Sequence, residues 1–468
     1  MRLKYRTNYS IRYFRKDGKI VMKKKLISIL LSVSMVAVML AGCGNSGATE
    51  QAPAADAAQA TEEAPAAEEA PAADTAASGD PVEINMFISS PEYADAITEL
   101  IAAYKEVAPN VTINYETTQN DYPTLLKTKL NAGECPDIFS STSGKEISTY
   151  LDYSANLADQ PLAGAMSDSV AAVMKSGDEL HGLSIKGNYF GLLYNKAIFE
   201  ECGIKEFPQT LDDLEVACET IKAAGYQPIT TGFAEWWVFK HTFQSFLDAA
   251  GGDDVEGLVH KFAAGEAHFK DYPALYEDFF RYLDLAVKYG DAKPLETDLS
   301  AEDAAFGSSQ AAIMNGQGAW VEADVIAIDP ELQIGFDGYP VSNDAAQCKV
   351  IGGSDQALRI YKDSPVLQET LDFVNWWYTS DYGKSWFNQV AGVIPPIDDA
   401  EAPDFEVIKQ GNVHASAEGT NTLSIVYSTD SFHQAFGEIM QSYIAGTVTK
   451  DEACTQIETK WKELEGDN

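Results

Sequence analysis

The sequence predicts an α/β fold, and three observations carry that expectation. Strand-like and helix-like patterns alternate from Val82 onward, an order that sets mostly parallel strands side by side with helices over their faces. The chain has 468 residues, long enough for two or three domains, and at 45% hydrophobic and 11% aromatic it can build large packed cores. Beyond the first forty or so residues no run approaches the ~18 consecutive apolar residues of a transmembrane helix.

The N-terminal segment reads as a targeting device. Residues 1–25 hold ten bases and a single acid, Asp17. Lys23-Lys24-Lys25 lead into the uncharged stretch Leu26–Leu40, and Ala41-Gly42-Cys43 follows, which is the basic, apolar and small-residue order of a secretory signal. Residues 1–42 are therefore expected to be a signal peptide whose true start is Met22. Leu40-Ala41-Gly42-Cys43 resembles the lipobox of bacterial lipoproteins. That resemblance implies a Cys43 that is diacylated and holds the mature chain on the extracellular face of the cell membrane; two acyl chains anchor stably where one binds only marginally.

Residues 43–80 continue as a spacer. From Gly44 to Asp80 there are fifteen Ala, eight acids, three Pro and no base or aromatic, so the segment cannot bury enough apolar area to offset its ordering entropy. A helical stalk is the alternative, but Pro53, Pro65 and Pro71 interrupt it.

In the body, Val82, Ile84, Met86 and Ile88 alternate with Glu83, Asn85 and Phe87, and Ser89-Ser90-Pro91 ends the strand. Ile97, Leu100, Ile101 and Tyr104 follow at helical spacing. Val111, Ile113 and Tyr115 alternate again, Leu125–Leu130 is helix-like, and Pro136–Ser140 reads as a short buried strand. Ser364-Pro365 is expected to cap a helix that carries Leu367, Leu371, Val374 and Trp377 on one face. Ligands of such sheets sit beyond the carboxyl ends of the strands, near Ser89-Ser90 and Ser140-Ser141.

Several stretches resemble family 1 extracellular solute-binding proteins, the sugar receptors of ATP-driven importers that include maltose-binding protein. They are Pro136-Asp137-Ile138-Phe139, Gly191–Phe199 with Cys202-Gly203-Ile204, Phe306–Trp320, Gly352-Gly353, Gly392–Pro396 and Ile444–Thr449. The resemblance covers almost all of residues 81–465. It implies a two-lobed periplasmic-binding-protein-like fold with a hinge between the lobes and the ligand in the inter-lobe cleft. Lobe one is then expected at 81–189 with 352–395, and lobe two at 190–351 with 396–468. The implied partners are a small carbohydrate and the permease subunits of an ABC importer, with the protein a monomer that needs no cofactor.

A neutral sugar presents hydroxyls and C–H patches, so its site needs aromatic platforms beside carboxylates and amides. Gly232–Trp237 supplies both, with Glu235 next to Trp236 and Trp237. Trp320 ends the glycine-punctuated Asn315–Trp320, where the resemblance implies an aromatic on the ligand; Gly318 stands where some relatives carry another tryptophan. Asp355 follows a glycine pair at a crossing between lobes. Ser89, Ser90, Glu92, Ser140, Ser141, Asn188 and Tyr189 are further candidates by their positions at strand ends and a crossing. The competing reading for each tryptophan is a packed core side chain, and it is the preferred one for Trp376, Trp377, Trp386 and Trp461.

Other function classes fare worse. A net charge of −38 repels a phosphate backbone, which argues against nucleic acid. There is no G-x-S-x-G, G-x-x-x-x-G-K-[ST] or H-E-x-x-H motif, and the six histidines never pair at metal-ligand spacing, so neither an enzyme nor a metal site is expected. The proposed contacts include no Lys or Arg, which points to a neutral or cationic ligand. Polyamine receptors of the same fold, and glycan-binding or glycan-cleaving lipoproteins without a transporter, remain the alternatives. Five cysteines beyond Cys43 leave at least one thiol unpaired within a single chain. Replacement of Cys43 by Ser is expected to move the protein from the membrane fraction to the soluble fraction of fractionated cells; equal solubility with and without the change would remove the anchor.

Overall fold

A computed structural model describes residues 79–466, so the signal segment, Met22, Cys43 and the spacer up to Ser78 lie outside the described residues. Eleven strands occur in it: β1 Val82–Ile88, β2 Val111–Thr117, β3 Ile138–Thr142, β4 Lys175–Ser176, β5 Glu179–Leu180, β6 Asn188–Asn195, β7 Gln227–Thr230, β8 Ala311–Gly318, β9 Ile334–Asp337, β10 Ile351–Gly353 and β11 Gln356–Ile360. They form two main sheets, each with its own cover of helices, and the short hairpin β4–β5.

The first sheet has the order β11-β3-β1-β2. β1 runs parallel to both β2 and β3, as the alternation predicts, and β11 closes the edge antiparallel to β3. The period of two puts Ile84, Met86 and Ile88 into one large core with Ile97, Leu100, Trp377 and Trp386, and turns Phe87 to the opposite face against Tyr122 and Phe139. Trp377, Trp386 and Trp461 are fully buried, and Trp376 is half-buried against Tyr104 and Tyr382. β1 ends two residues short of β3 in this register, so the Ser89 N–H meets the Ser140 hydroxyl, and Gln356, the first residue of β11 and opposite Thr142, donates to the Ser89 carbonyl.

The second sheet, β10-β6-β8-β7 with β9 also on β6, departs from the expectation of a mostly parallel arrangement. β6 runs antiparallel to β8, β9 and β10, and only β7 and β8 are parallel. Its core is built around the helix Trp236–Gly251, in which Trp236–Phe239 and His241–Leu247 are all buried. That helix packs on Asp430–Ile444 and Val255–Ala264.

Three further boundaries differ from the sequence reading. The helix expected from Ser364-Pro365 runs from Leu367, after a turn in which the Ser364 hydroxyl accepts from the Val366 N–H, as a capping residue does, and donates to Asp137. Gly352 and Gly353 pair with Tyr189 and Asn188 in the second sheet, so that crossing falls between Gly353 and Gln356. Ile397 packs in the first core and Asp399 pairs with Lys384, which moves the third crossing beyond residue 395 to the approach to helix Glu406–Glu418.

Arg359 of β11 anchors the first lobe from inside. Its guanidinium is fully buried and donates to the carbonyls of Glu146 and Ile147 and to the Ser154 hydroxyl. The helix Lys145–Thr149 held in this way reaches the second core. Glu146 accepts from the Thr142 and Asp430 N–H groups, and Lys145 pairs with Glu465 at 2.5 Å. Arg359→Leu leaves those acceptors unsatisfied and should cost about 2–4 kcal/mol of stability; urea unfolding checks this, and an unchanged midpoint would contradict it.

Candidate functional site

A cavity of about 520 Å³ lies between the two cores, and residues of both sheets line it. From the first come Ser89, Glu92, Ser140, Ser141, Thr142 and Gln356; from the second Phe190, Glu235, Trp236, Trp237, Lys240, His241 and Trp320; from the crossings Lys186, Asn188 and Asp355. Ten of the twelve side chains expected from sequence at the ligand site are therefore gathered in one place. Ser90 and Tyr189 are not. The Ser90 hydroxyl is buried and donates to Gln356 Oε1, so it orients a lining residue. Tyr189 alternates to the far side of β6 from Asn188 and Phe190, and its hydroxyl donates to Asn412.

Each tryptophan is held differently. Trp236 and Trp237 occupy the first turn of the helix Trp236–Gly251, with Glu235 at the N-cap position but making no side-chain capping bond. The Trp236 indole N–H donates across the cleft to the Asn120 carbonyl, and Lys240 sits 5.1 Å above its ring. Trp237 packs against His241, and its own N–H has no partner. Glu235 Oε2 is likewise buried and unpartnered. A buried donor and a buried acceptor left open two residues apart in the chain each cost stability unless a ligand completes them.

Trp320 follows β8 and touches both the first and the second core. Its indole N–H, a donor only, binds Gln317 Oε1 at 3.0 Å, which fixes the Gln317 amide so that its NH₂ donates to Glu302 Oε2 at 2.7 Å. Glu302 is fully buried and also accepts from the Asn315 N–H, while burial pushes its carboxyl well above the usual range. Gly318 is part of this platform. A Cβ there would stand 2.1 Å from the Tyr189 carbonyl oxygen and 2.3 Å from the Trp320 ring, so the ring occupies the space a side chain at 318 would need.

Several lining residues escaped the sequence reading. His241 lies among Phe190, Trp237 and Trp320 and donates from Nδ1 to the Gly316 carbonyl, which leaves Nε2 an acceptor. Burial and then Lys240 lower its pKa to about 3, so it is neutral. Lys186 and Lys240 correct the expectation of a cleft without bases. Each is already paired, Lys186 with Glu92 at 3.3 Å and Lys240 with Asp430 at 3.1 Å, and Lys186 lies over the rings of Tyr93 and Trp320. Asp298, Asp303 and Asp324 complete the lining. No group of His, Cys, Asp or Glu among the described residues is arranged to hold a metal ion. All five described cysteines are free thiols, and three of them are buried.

Comparison with known proteins gives the frame for this cleft. The family model described as bacterial extracellular solute-binding protein matches residues 89–384. The multiple sugar-binding protein of Streptococcus mutans is 24% identical over 362 residues, 76% of this chain and 79% of that protein. The melibiose/raffinose/stachyose-binding protein MelE of Bacillus subtilis is 24% identical over 293 residues, 61% of this chain and 67% of that protein. Among solved structures, RafE with raffinose superposes with a TM-score of 0.71 at 18% identity, and a Bacillus licheniformis sugar transporter protein with stachyose at 0.70 and 18%. Each covers 82% of this chain and 100% of the other, and the likeness shows that the fold is the two-lobed one.

Asp303 gives the site a pH signature. Burial, then the neighbouring Asp324 and Asp298, raises its carboxyl to about 7. The folded state thus holds this proton longer than the unfolded chain, and stability falls as pH rises from the unfolded value near 3.8 to about 7. Asp303→Asn should leave stability unchanged below pH 4 and raise it by ~2–4 kcal/mol at pH 7.5. Thermal melts at the two pH values test this; an equal shift at both would contradict it.

Proposed function

Because the chain belongs to the bacterial extracellular solute-binding protein family, we propose that it is the receptor of an ABC importer that captures an oligosaccharide in the cleft between its lobes. The family binds its solutes without transforming them, and an enzyme role is not part of this reading. The observation that carries the choice of ligand is the lining itself: three tryptophans, with the unpartnered Trp237 N–H and Glu235 carboxylate beside them. Aromatic faces complement the C–H patches of sugar rings, and the open polar atoms complement hydroxyls. The names of the Streptococcus mutans and Bacillus subtilis relatives agree with a sugar ligand.

In this proposal lobe one comprises roughly residues 81–187 and 354–402 and lobe two the remainder of the body. Trp236, Trp237 and Trp320 are the platforms, while Glu235, Asp355, Asn188 and Gln356 take hydroxyl contacts. Closure about the crossings buries the ligand, and the closed form docks as a monomer on the permease subunits. Diacylated Cys43 tethers the receptor to the extracellular face of the membrane, and residues 44–80 give it reach.

Isothermal titration across mono- and oligosaccharides tests the reading. At least one oligosaccharide should bind, and Trp237→Ala should weaken it about 10- to 100-fold, the ~1.5–3 kcal/mol expected of a stacking aromatic. Silence with every sugar, alongside binding of a peptide or a metal ion, would overturn it.

A further inference from the structure

Three aspartates of the cleft lining have no basic partner among the described residues. Asp298 opens the helix Leu299–Gly307 and spends Oδ1 on the Ala301 N–H. Asp303 lies in the same helix, and Asp324 in the first turn of Glu322–Ile328, which packs against it. The two lysines of the cleft belong to Glu92 and Asp430, and among the described residues no cation pairs with any of these three acids. Asp303 is only 8% exposed, lines the cavity, and its Oδ1 has no hydrogen-bond partner.

A carboxylate buried without a counter-charge is costly, and a sugar hydroxyl satisfies one lone pair while leaving the charge in place. A protonated amine supplies up to three N–H donors together with the missing charge. The three acids are not set as metal ligands, which favours an organic cation over an ion.

We propose that the Asp298–Asp303–Asp324 group in the cleft lining is a subsite for a protonated amino group, so that the preferred ligand is a glycan bearing a free amine. This deepens the carbohydrate reading above and rests on it. Asp303 makes the central contact, Asp324 adds charge behind it, and the tryptophans that share the lining take the neutral rings. Filling the site requires an ionised Asp303, so a protein whose Asp303 carboxyl is raised to about 7 should release a proton on binding near neutral pH.

The test compares the neutral oligosaccharide that binds best with the same sugar in which one terminal hydroxyl is replaced by an amino group, by calorimetry at pH 7 in buffers of different ionisation enthalpy. The amino sugar should bind at least ~10-fold tighter, about 1.4 kcal/mol, and the preference should shrink in high salt. Asp303→Asn should abolish the preference while still binding the neutral sugar, which also shows that the variant is folded; Asp324→Asn should reduce it. Equal affinity for the two sugars, or an undiminished preference in both variants, would overturn the subsite and leave the carbohydrate reading intact. Binding of putrescine or spermidine but of no glycan would support the amine subsite and overturn the carbohydrate reading. Silence with all of these would overturn both.

Discussion

The site depends on one pairing, that of the two strands that carry the chain between the lobes. β6 enters the second sheet at Asn188 and β10 leaves it at Gly353, and these two residues are register partners in an antiparallel ladder. Just outside the ladder, Ser184 and Ser354 share a hydrogen bond, both hydroxyls reach the Lys186 carbonyl, and Asn188 donates to Asp355. A backbone ladder resists stretching and shear but turns through a few dihedrals, which is what a hinge needs. Gly353 is the point where an ordinary residue would obstruct it: its φ is +150° and a Cβ would come within 2.6 Å of Leu423. Because Lys186, Asn188 and Asp355 are at once hinge and lining, a ligand that touches them bears directly on lobe orientation.

The lobes also meet away from the hinge. Trp236 bonds to Asn120, Glu146 accepts from the Asp430 N–H, and Lys145 pairs with Glu465. In the proposed receptor, opening the cleft breaks these contacts, which therefore favour the closed arrangement before any ligand arrives. Ligand binding shifts the balance only by its preference for one form. Glu146 is notable among them: burial, and then the charge of Asp430, raises its carboxyl to about 7, so the strength of this contact varies across neutral pH.

Much of the fold was legible in the sequence where local pattern and environment coincide. β2 and the first half of β1 alternate because one face is buried, and the tryptophans of the cleft stand out because each adjoins glycines or an acid. The second sheet was not legible in this way. β8 is buried at every position and therefore has no alternation, and nothing local tells β6 that its neighbours on both sides run antiparallel. Tyr189 was misplaced for a related reason: a shift of one residue along a strand exchanges the two faces. Asp298, Asp303 and Asp324 could not be singled out among 71 acids, since what distinguishes them is the absence of a nearby base, a property of the folded chain. His241 looked like an isolated histidine until three aromatic rings closed around it.

The charge of the chain and the charge of the cleft are therefore separate quantities. A total of −38 keeps polyanions away and the surface solvated, but at the Debye length of ~10 Å in ordinary salt most of it is screened from a ligand inside the cavity. What that ligand meets is local: two lysines cancelled by Glu92 and Asp430 and turned over aromatic rings, and three aspartates with nothing to cancel them. The lysines brace the platforms and leave the three aspartates without a cation of their own among the described residues. A site built in this way distinguishes ligands by the position of one charge along their length, and total charge does not register that distinction.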